Sequence, residues 1–352
     1  LIDKNPYEVT TYRVDGEYLN NRKPKDVKFV SNIEEDLSRR DFTINAMAYS
    51  PYLGFKDCFN GKDDLKNKLI RCVGDPDKRF SEDALRMLRA IRFSCQLNFK
   101  IEKLTAESIR KNFKLIKNIS MERIQSEFTK IILSNDPDRG LMLLRKLGFS
   151  DFLVEEFKNL KLINCYDLYD DIHDTYGLIN SLPKKLHVRL AGLFYKVFNS
   201  ENAVEKCRTI LKKLKYDNNT INDTCNLVEN INNISCNMTR KKLKLLINSV
   251  GTENIFDLLD LQKSYLSYMD EYDTECIDIL KNRVSDILAS KEPIFIKDLA
   301  ITGNDLITEL NFKPGKNIGV ILNFLLENVM QTPELNNKED LLNLSKQFYS
   351  YN

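Results

Sequence analysis

The chain has little of what most metal and redox motifs need. Its eight cysteines, Cys58, Cys72, Cys95, Cys165, Cys207, Cys225, Cys236 and Cys276, include no Cys-x-x-Cys pair, which argues against a zinc cluster or a thioredoxin-like motif. Scattered cysteines without a secretory segment read as reduced thiols of a cytoplasmic protein. Only two histidines occur, His173 and His187, too few for a metal-hydrolase centre built on several imidazoles. No apolar run reaches membrane-spanning length, so no membrane partner is expected. Charge of one sign is also missing. Lys plus Arg is 53 against 51 Asp plus Glu, a formal net charge of +2, so any surface for a polyanion must be local. No repeat of 20–50 residues recurs, which argues against a solenoid.

What is present is strongly patterned. Residues 7–14 are rich in β-branched and aromatic side chains and predict a strand. Asp15-Gly16 opens a polar loop to residue 26, and Val27–Val30 reads as extended. Residues 36–49 read as a helix. Strand and turn signals fill 51–75. A second helix is expected from Ser81, with Ser81-Glu82-Asp83 as cap chemistry. Ala84, Leu88, Ile91 and Cys95 form one narrow apolar face at about 100° per residue. Asp83, Arg86, Arg89 and Arg92 fan across the other side. Beyond residue 100 the period is helical, with helices expected at 103–117, 120–134 and 138–147 and a string of others to the C-terminus. The expected fold is α+β: a small α/β head followed by a long all-helical body.

Two blocks are the most informative, Glu34-Glu-Asp-Leu-Ser-Arg-Arg-Asp-Phe-Thr-Ile-Asn-Ala-Met-Ala-Tyr49 and Arg79-Phe-Ser-Glu-Asp-Ala-Leu-Arg-Met-Leu-Arg-Ala-Ile-Arg-Phe93. In this order and spacing they resemble the bacterial-type (class II) CCA-adding tRNA nucleotidyltransferases, which share their fold with bacterial poly(A) polymerases. The resemblance runs from residue 1 to about 345. It implies a nucleotidyltransferase head at 1–75, a nucleotide- and RNA-binding helical neck at 76–150, a helical body at 151–290 and a helical tRNA-binding tail at 291–352. The implied activity is addition of C, C and A to tRNA 3′ ends from CTP and ATP with Mg²⁺. A poly(A) polymerase and a non-catalytic tRNA-binding fragment are the alternatives.

The resemblance assigns base choice to Asp83 and Arg86 of a Glu-Asp-x-x-Arg motif. A carboxylate accepts from an exocyclic amine and a guanidinium donates to a ring acceptor. Cytosine and adenine fit that pair. Uracil and guanine would set a carbonyl against the carboxylate. A lone Asp-x-x-Arg can equally be an ordinary exposed ion pair. The resemblance places Arg89 and Arg92 near the triphosphate. Arg40 is expected at the triphosphate and Asp41 and Asn45 at the ribose, with a local salt-bridge cluster as the alternative. Glu8 corresponds to a third metal carboxylate. No Gly-Gly-x-x-Arg-Asp loop or strand-borne Asp-x-Asp precedes it, so the resemblance implies an N-terminally truncated chain without the two main metal ligands.

Tyr12–Pro24 resembles the loop of relatives that add the terminal A, and an ordinary surface hairpin is the alternative. Residues 186–197 look like a degenerate phosphohydrolase segment in which a His-Asp pair has become Tyr195-Lys196. The basic runs Lys212, Lys213, Lys215 and Arg240, Lys241, Lys242, Lys244 fit either tRNA phosphates or solvated helix faces.

Overall fold

The computed structural model describes residues 9–16, 18, 19, 23–149, 177–197, 202–268 and 274–351. The chain divides into two compact units, Leu1–Ile221 and Asn222–Asn352. Its described residues are mainly helical with four two-stranded sheets, an α+β fold as expected.

In the first unit, β1 (Arg13–Asp15) pairs antiparallel with β4 (Val27–Phe29), Arg13 opposite Phe29 and Asp15 opposite Val27. Between them β2 (Tyr18–Leu19) pairs with β3 (Lys23–Pro24). The segment expected as a polar loop therefore carries two strand pairs, and the expected strand at 7–14 begins at Arg13 among the described residues. The helix expected over 36–49 is corrected. Asn32 caps α1 (Ile33–Ser38), a 3₁₀ turn spans Thr43–Asn45, and Met47–Ser50 forms β5 against β6 (Gly54–Asp57). Buried Phe42, bridged antiparallel to Cys72, pulls the backbone out of helical register. Tertiary pairing here overrides the helical period.

The helix expected from Ser81 is broken. Asp75 caps α3 (Pro76–Glu82), Asp83 is extended (φ −138°, ψ 104°), and α4 runs Leu85–Leu97. The predicted apolar face holds: Ala84, Leu88, Ile91 and Cys95 are fully buried. A short parallel ladder, β7 (Leu69–Ile70) with β8 (Lys100–Ile101), interrupts the expected all-helical run just past residue 100. The helices α5 (Lys103–Asn112), α6 (Met121–Ile132) and α7 (Pro137–Lys146) follow close to expectation, and α4 packs chiefly on α6 and α7.

Gly140 of α7 makes that packing possible. A Cβ there would lie 2.3 Å from Ile131 Cγ2 and 3.0 Å from Cys95 Sγ. Overpacking a filled core costs about 1–3 kcal/mol, more than the at most ~1 kcal/mol of helix propensity that alanine regains. Gly140→Ala is expected to lower the thermal midpoint, and an unchanged or raised midpoint would refute this close approach.

Arg189 on the helix Leu186–Val197 is buried and donates to the carbonyls of Ile132 and Ser134. The segment 186–197 thus carries a structural clamp, while His173 lies outside the described residues.

In the second unit the helices Arg240–Val250, Ile255–Tyr268, Glu275–Ala289 and Lys316–Gln331 bury Leu243, Ile247, Leu258, Leu280, Val284, Leu325 and Val329. Much of the basic run at 240–244 is absorbed here. Lys244 is fully buried and bonded to Glu292 and the Met330 carbonyl, and Arg240 pairs with Glu292 at 2.5 Å. Lys212, Lys213 and Lys215 face solvent. Cys236 and Cys276 form a disulfide, with Cα atoms 5.4 Å apart. This corrects the reading of these two as free thiols, because a contact across 40 residues leaves no local motif. No helix among the described residues is long and apolar enough to cross a membrane.

Candidate functional site

The break at Asp83 builds the site. Because Asp83 leaves the helix, its carboxylate is not one of a helical row. Oδ1 accepts the Leu85 backbone N–H at 3.1 Å, and Oδ2 accepts Arg123 NH2 from α6 at 2.8 Å. Arg86 is the second residue of α4 and is buried. Its NH1 donates to Glu82 Oε2 at 2.6 Å and the Arg79 carbonyl at 3.1 Å, and its NH2 donates to the Arg39 carbonyl at 2.9 Å. Asp83 and Arg86 are thus each fixed by partners other than one another, unlike a solvent-exposed i,i+3 ion pair.

Facing them is the turn after α1. Asp41 Oδ1 accepts the Phe42 N–H at 3.0 Å and Asn45 Nδ2 at 3.2 Å. Asp41 Oδ2 accepts Arg89 Nε at 2.6 Å, and Arg89 NH2 lies equally close. Arg40 is the exposed guanidinium of the group. NH1 reaches the Asn45 carbonyl at 3.4 Å and NH2 reaches Asp36 at 3.5 Å.

Asp36 is a buried hub. It accepts Arg39 NH2 at 2.6 Å, Arg39 Nε at 3.0 Å and the Arg13 N–H at 3.2 Å. Burial pushes its carboxyl up, but the bonds from Arg39 and Arg13 and the charges of Arg39 and Arg40 outweigh this and hold it below the ordinary value. The hairpin base at Arg13 is thereby tied to the segment that carries Arg40.

A cavity of about 590 Å³ gathers these groups, lined by Arg39, Arg40, Asp41, Asn45, Asp83, Leu85, Arg86, Arg89, Phe93 and Arg123. Six of the residues expected at the nucleotide thus share one hollow: Arg40, Asp41, Asn45, Asp83, Arg86 and Arg89. Arg92 does not line it. Its buried guanidinium lies 3.1 Å from Glu127 Oε2, an ion pair without hydrogen-bond alignment, and 4.2 Å over the Phe93 ring. Burial lowers the Arg92 pKa, and Glu127 opposes that shift. Glu8 lies outside the described residues.

Three of the supporting residues, Glu82, Arg123 and Glu127, were not anticipated. Arg123 and Glu127 stand at i and i+4 on α6, among buried Ile124, Phe128 and Ile131. Two charges on the apolar face of a helix were the available signal. Their partners, Asp83 and Arg92, show only in three dimensions.

The arrangement sets five arginines against two aspartates around one hollow. It suits a polyphosphate, a hydroxyl-bearing ring and a planar edge with an amine donor. Among the described residues no group of three or more His, Cys, Asp or Glu converges to hold a metal ion. Asp41 and Asp83 are each engaged by an arginine. These residues alone do not make a metal centre.

The Poly A polymerase head domain family matches residues 1–71, the probable RNA and SrmB-binding site of polymerase A matches 98–161, and the putative tRNA nucleotidyltransferase domain 2 matches 193–344. A CCA-adding enzyme of Ligilactobacillus salivarius is 34% identical over 97% of this chain and 78% of its own length. One from Pediococcus pentosaceus is 34% identical over 97% of this chain and 80% of its own. The crystal structure of the Bacillus stearothermophilus CCA-adding enzyme in complex with CTP superposes with a TM-score of 0.78 at 25% identity, covering 99% of this chain and 80% of that one. Head, helical neck and arginine-lined hollow define a nucleotidyltransferase. The chain belongs to the CCA-adding enzyme family.

Proposed function

We propose that this chain adds C, C and A to tRNA 3′ ends from CTP and ATP, with base choice in the hollow between the turn at 40–45 and the start of α4. The observation that carries the reading is the meeting of Arg40, Asp41, Asn45, Asp83, Arg86 and Arg89 around one cavity. Arg40 and Arg89 bind the triphosphate. Asp41, held by Asn45 and Arg89, takes the ribose hydroxyls. Asp83 accepts the exocyclic amine of cytosine or adenine while Arg86 donates to the neighbouring ring acceptor. Arg92 acts on the triphosphate only indirectly, by fixing Phe93 and α4.

In the reaction, the tRNA 3′-oxygen attacks the α-phosphate. A P–O bond forms, the bond to the β-phosphate oxygen breaks, the hydroxyl proton is released and pyrophosphate leaves. Mg²⁺ is the proposed cation, and with Glu8 it would stabilise charge on the phosphates. This chain's described residues contribute positioning, which converts a bimolecular encounter into an oriented one. The four-part division at 75, 150 and 290 stands as the proposed functional division, and a cytoplasmic location fits a tRNA substrate.

The test is nucleotide incorporation into a tRNA ending at the discriminator base, with each NTP alone and with CTP plus ATP. Products that stop after CCA are expected. A long A tail from ATP alone would instead indicate a poly(A) polymerase, the reading that the curated relatives do not favour. Arg40→Ala is expected to raise the Kd for CTP and UTP alike by about tenfold, the loss of one charge-assisted contact. A change in their ratio would remove Arg40 from the phosphates.

A further inference from the structure

Asp83 sits where no helix dictates its direction. Its backbone is extended between α3 and α4, so the carboxylate is aimed by its bonds alone. Two are recorded: the Leu85 N–H on Oδ1 at 3.1 Å, and the Arg123 fork, with NH2 on Oδ2 at 2.8 Å and NH1 near Oδ1 at 3.4 Å. The backbone bond fixes one oxygen. Only Arg123 sets the rotation that places the other.

Arg123 is itself well held. It lies in the first turn of α6, the helix on which α4 packs most extensively. One turn later Glu127 meets Arg92 of α4 and accepts Lys130 Nζ at 3.1 Å. The two ion pairs, Asp83–Arg123 and Arg92–Glu127, pin α4 and the break before it to α6. Arg123 also lines the cavity.

We infer that Arg123 is a specificity-determining positioning residue, which holds the Asp83 carboxylate in the orientation that accepts an exocyclic amine. Each carboxylate oxygen has about two acceptor directions, so a bond from Arg123 leaves room for a second donor on the same atom. Without the fork, the carboxylate turns about its Leu85 anchor. The amine then loses its acceptor, and the penalty for a carbonyl in that place falls. Cytosine and adenine lose their advantage over uracil and guanine, while triphosphate and ribose contacts stay. The inference rests on the assignment of Asp83 to the base.

The experiment is equilibrium competition of CTP and UTP against a fluorescent CTP analogue on the full chain, which requires no turnover. Wild type, Arg123→Met, Arg123→Lys, Asp83→Ala and the Asp83→Ala/Arg123→Met double variant are compared, with a thermal melt of each. Arg123→Met is expected to lower the ratio of CTP to UTP affinity by roughly tenfold, the loss of one charge-assisted orienting contact. Arg123→Lys, which keeps the charge without the fork, is expected to recover part of it. In the Asp83→Ala background, Arg123→Met should change the ratio no further.

Equal weakening of CTP and UTP would reduce Arg123 to a general electrostatic role and overturn the inference. So would a further loss of selectivity in the double variant, or an unaltered ratio in Arg123→Met. If Arg123→Met does not fold, Arg123→Lys decides alone: a wild-type ratio overturns the inference and an intermediate one upholds it. A wild type that does not prefer CTP over UTP, or an Asp83→Ala variant that keeps the preference, would strike the base assignment itself.

Discussion

Asp83→Ala is expected to abolish most discrimination between CTP and UTP, by about 100-fold or more, while the affinity for CTP itself falls far less. The two nucleotides share ribose and triphosphate and differ at the edge proposed to meet Asp83. Sites built on polar complementarity reject mismatched partners by large factors, because a wrong base leaves buried groups unpaired. Here the carboxylate is anchored by Leu85 N–H and Arg123, with its side chain 17% exposed. A uracil O4 would set acceptor against acceptor, and removing the carboxylate removes that conflict. The companion residue is a poorer probe. Arg86→Ala would also take a donor from Glu82 and from the carbonyls of Arg79 and Arg39, mixing a stability loss with the binding change. Competition binding of CTP and UTP to Asp83→Ala checks the expectation, and a retained preference for CTP would end the role of Asp83 as base reader.

The second large effect is on stability. Lys244 has a 0% exposed side chain, and its ammonium meets Glu292, which also takes Arg240. Removing one partner of a buried pair leaves an uncompensated charge, at a cost of about 3 kcal/mol. Glu292→Gln is therefore expected to destabilise the second unit by roughly that amount, seen as a shifted denaturant midpoint at neutral pH. The pH dependence has a defined sign. Hydrogen bonding from Arg240 is the largest influence on Glu292. With Lys244 it outweighs burial and draws the carboxyl down from 4.5 to about 2. A carboxyl depressed in the folded state stabilises fully above its unfolded pKa and loses that contribution as protons bind. The contribution of Glu292 is thus complete above about pH 4.5 and is lost as pH falls towards about 2. In Glu292→Gln, stability measured against pH should lose this component across that window. A variant with unchanged midpoint and unchanged acid response would show that Lys244 finds adequate solvation without it.

The same residues show how far a one-dimensional reading reaches. The apolar face Ala84, Leu88, Ile91 and Cys95 followed from helical period because burial of a stripe is a local consequence of repeat. The helix break at Asp83 was not legible. The carboxylate at the break is held by a guanidinium from α6, 40 residues away. The strand at Met47–Ser50 was misread as helix because a short continuous apolar run is compatible with either period. Its partner, Gly54–Asp57, decided the matter. Arg92 looked like another member of an arginine row, yet Glu127, distant in sequence, draws it out of the hollow. Among the basic residues at 240–244, charge alone suggested a phosphate surface, and packing placed Lys244 in the interior.

By itself the sequence determined the α+β class, the two motif blocks and the identity of six residues that meet in one hollow. Those rest on residue chemistry and local period, which a linear string records. Only the tertiary structure decided which guanidiniums face the cavity, which carboxylate holds each of them, and how Asp83 is aimed. The outcomes for Asp83, Asp41, Arg89 and Arg123 depend on contacts between segments that the chain separates by 40 residues or more, Asp83 with Arg123 and Asp41 with Arg89. Their energies arise from burial and geometry that no spacing along the sequence encodes.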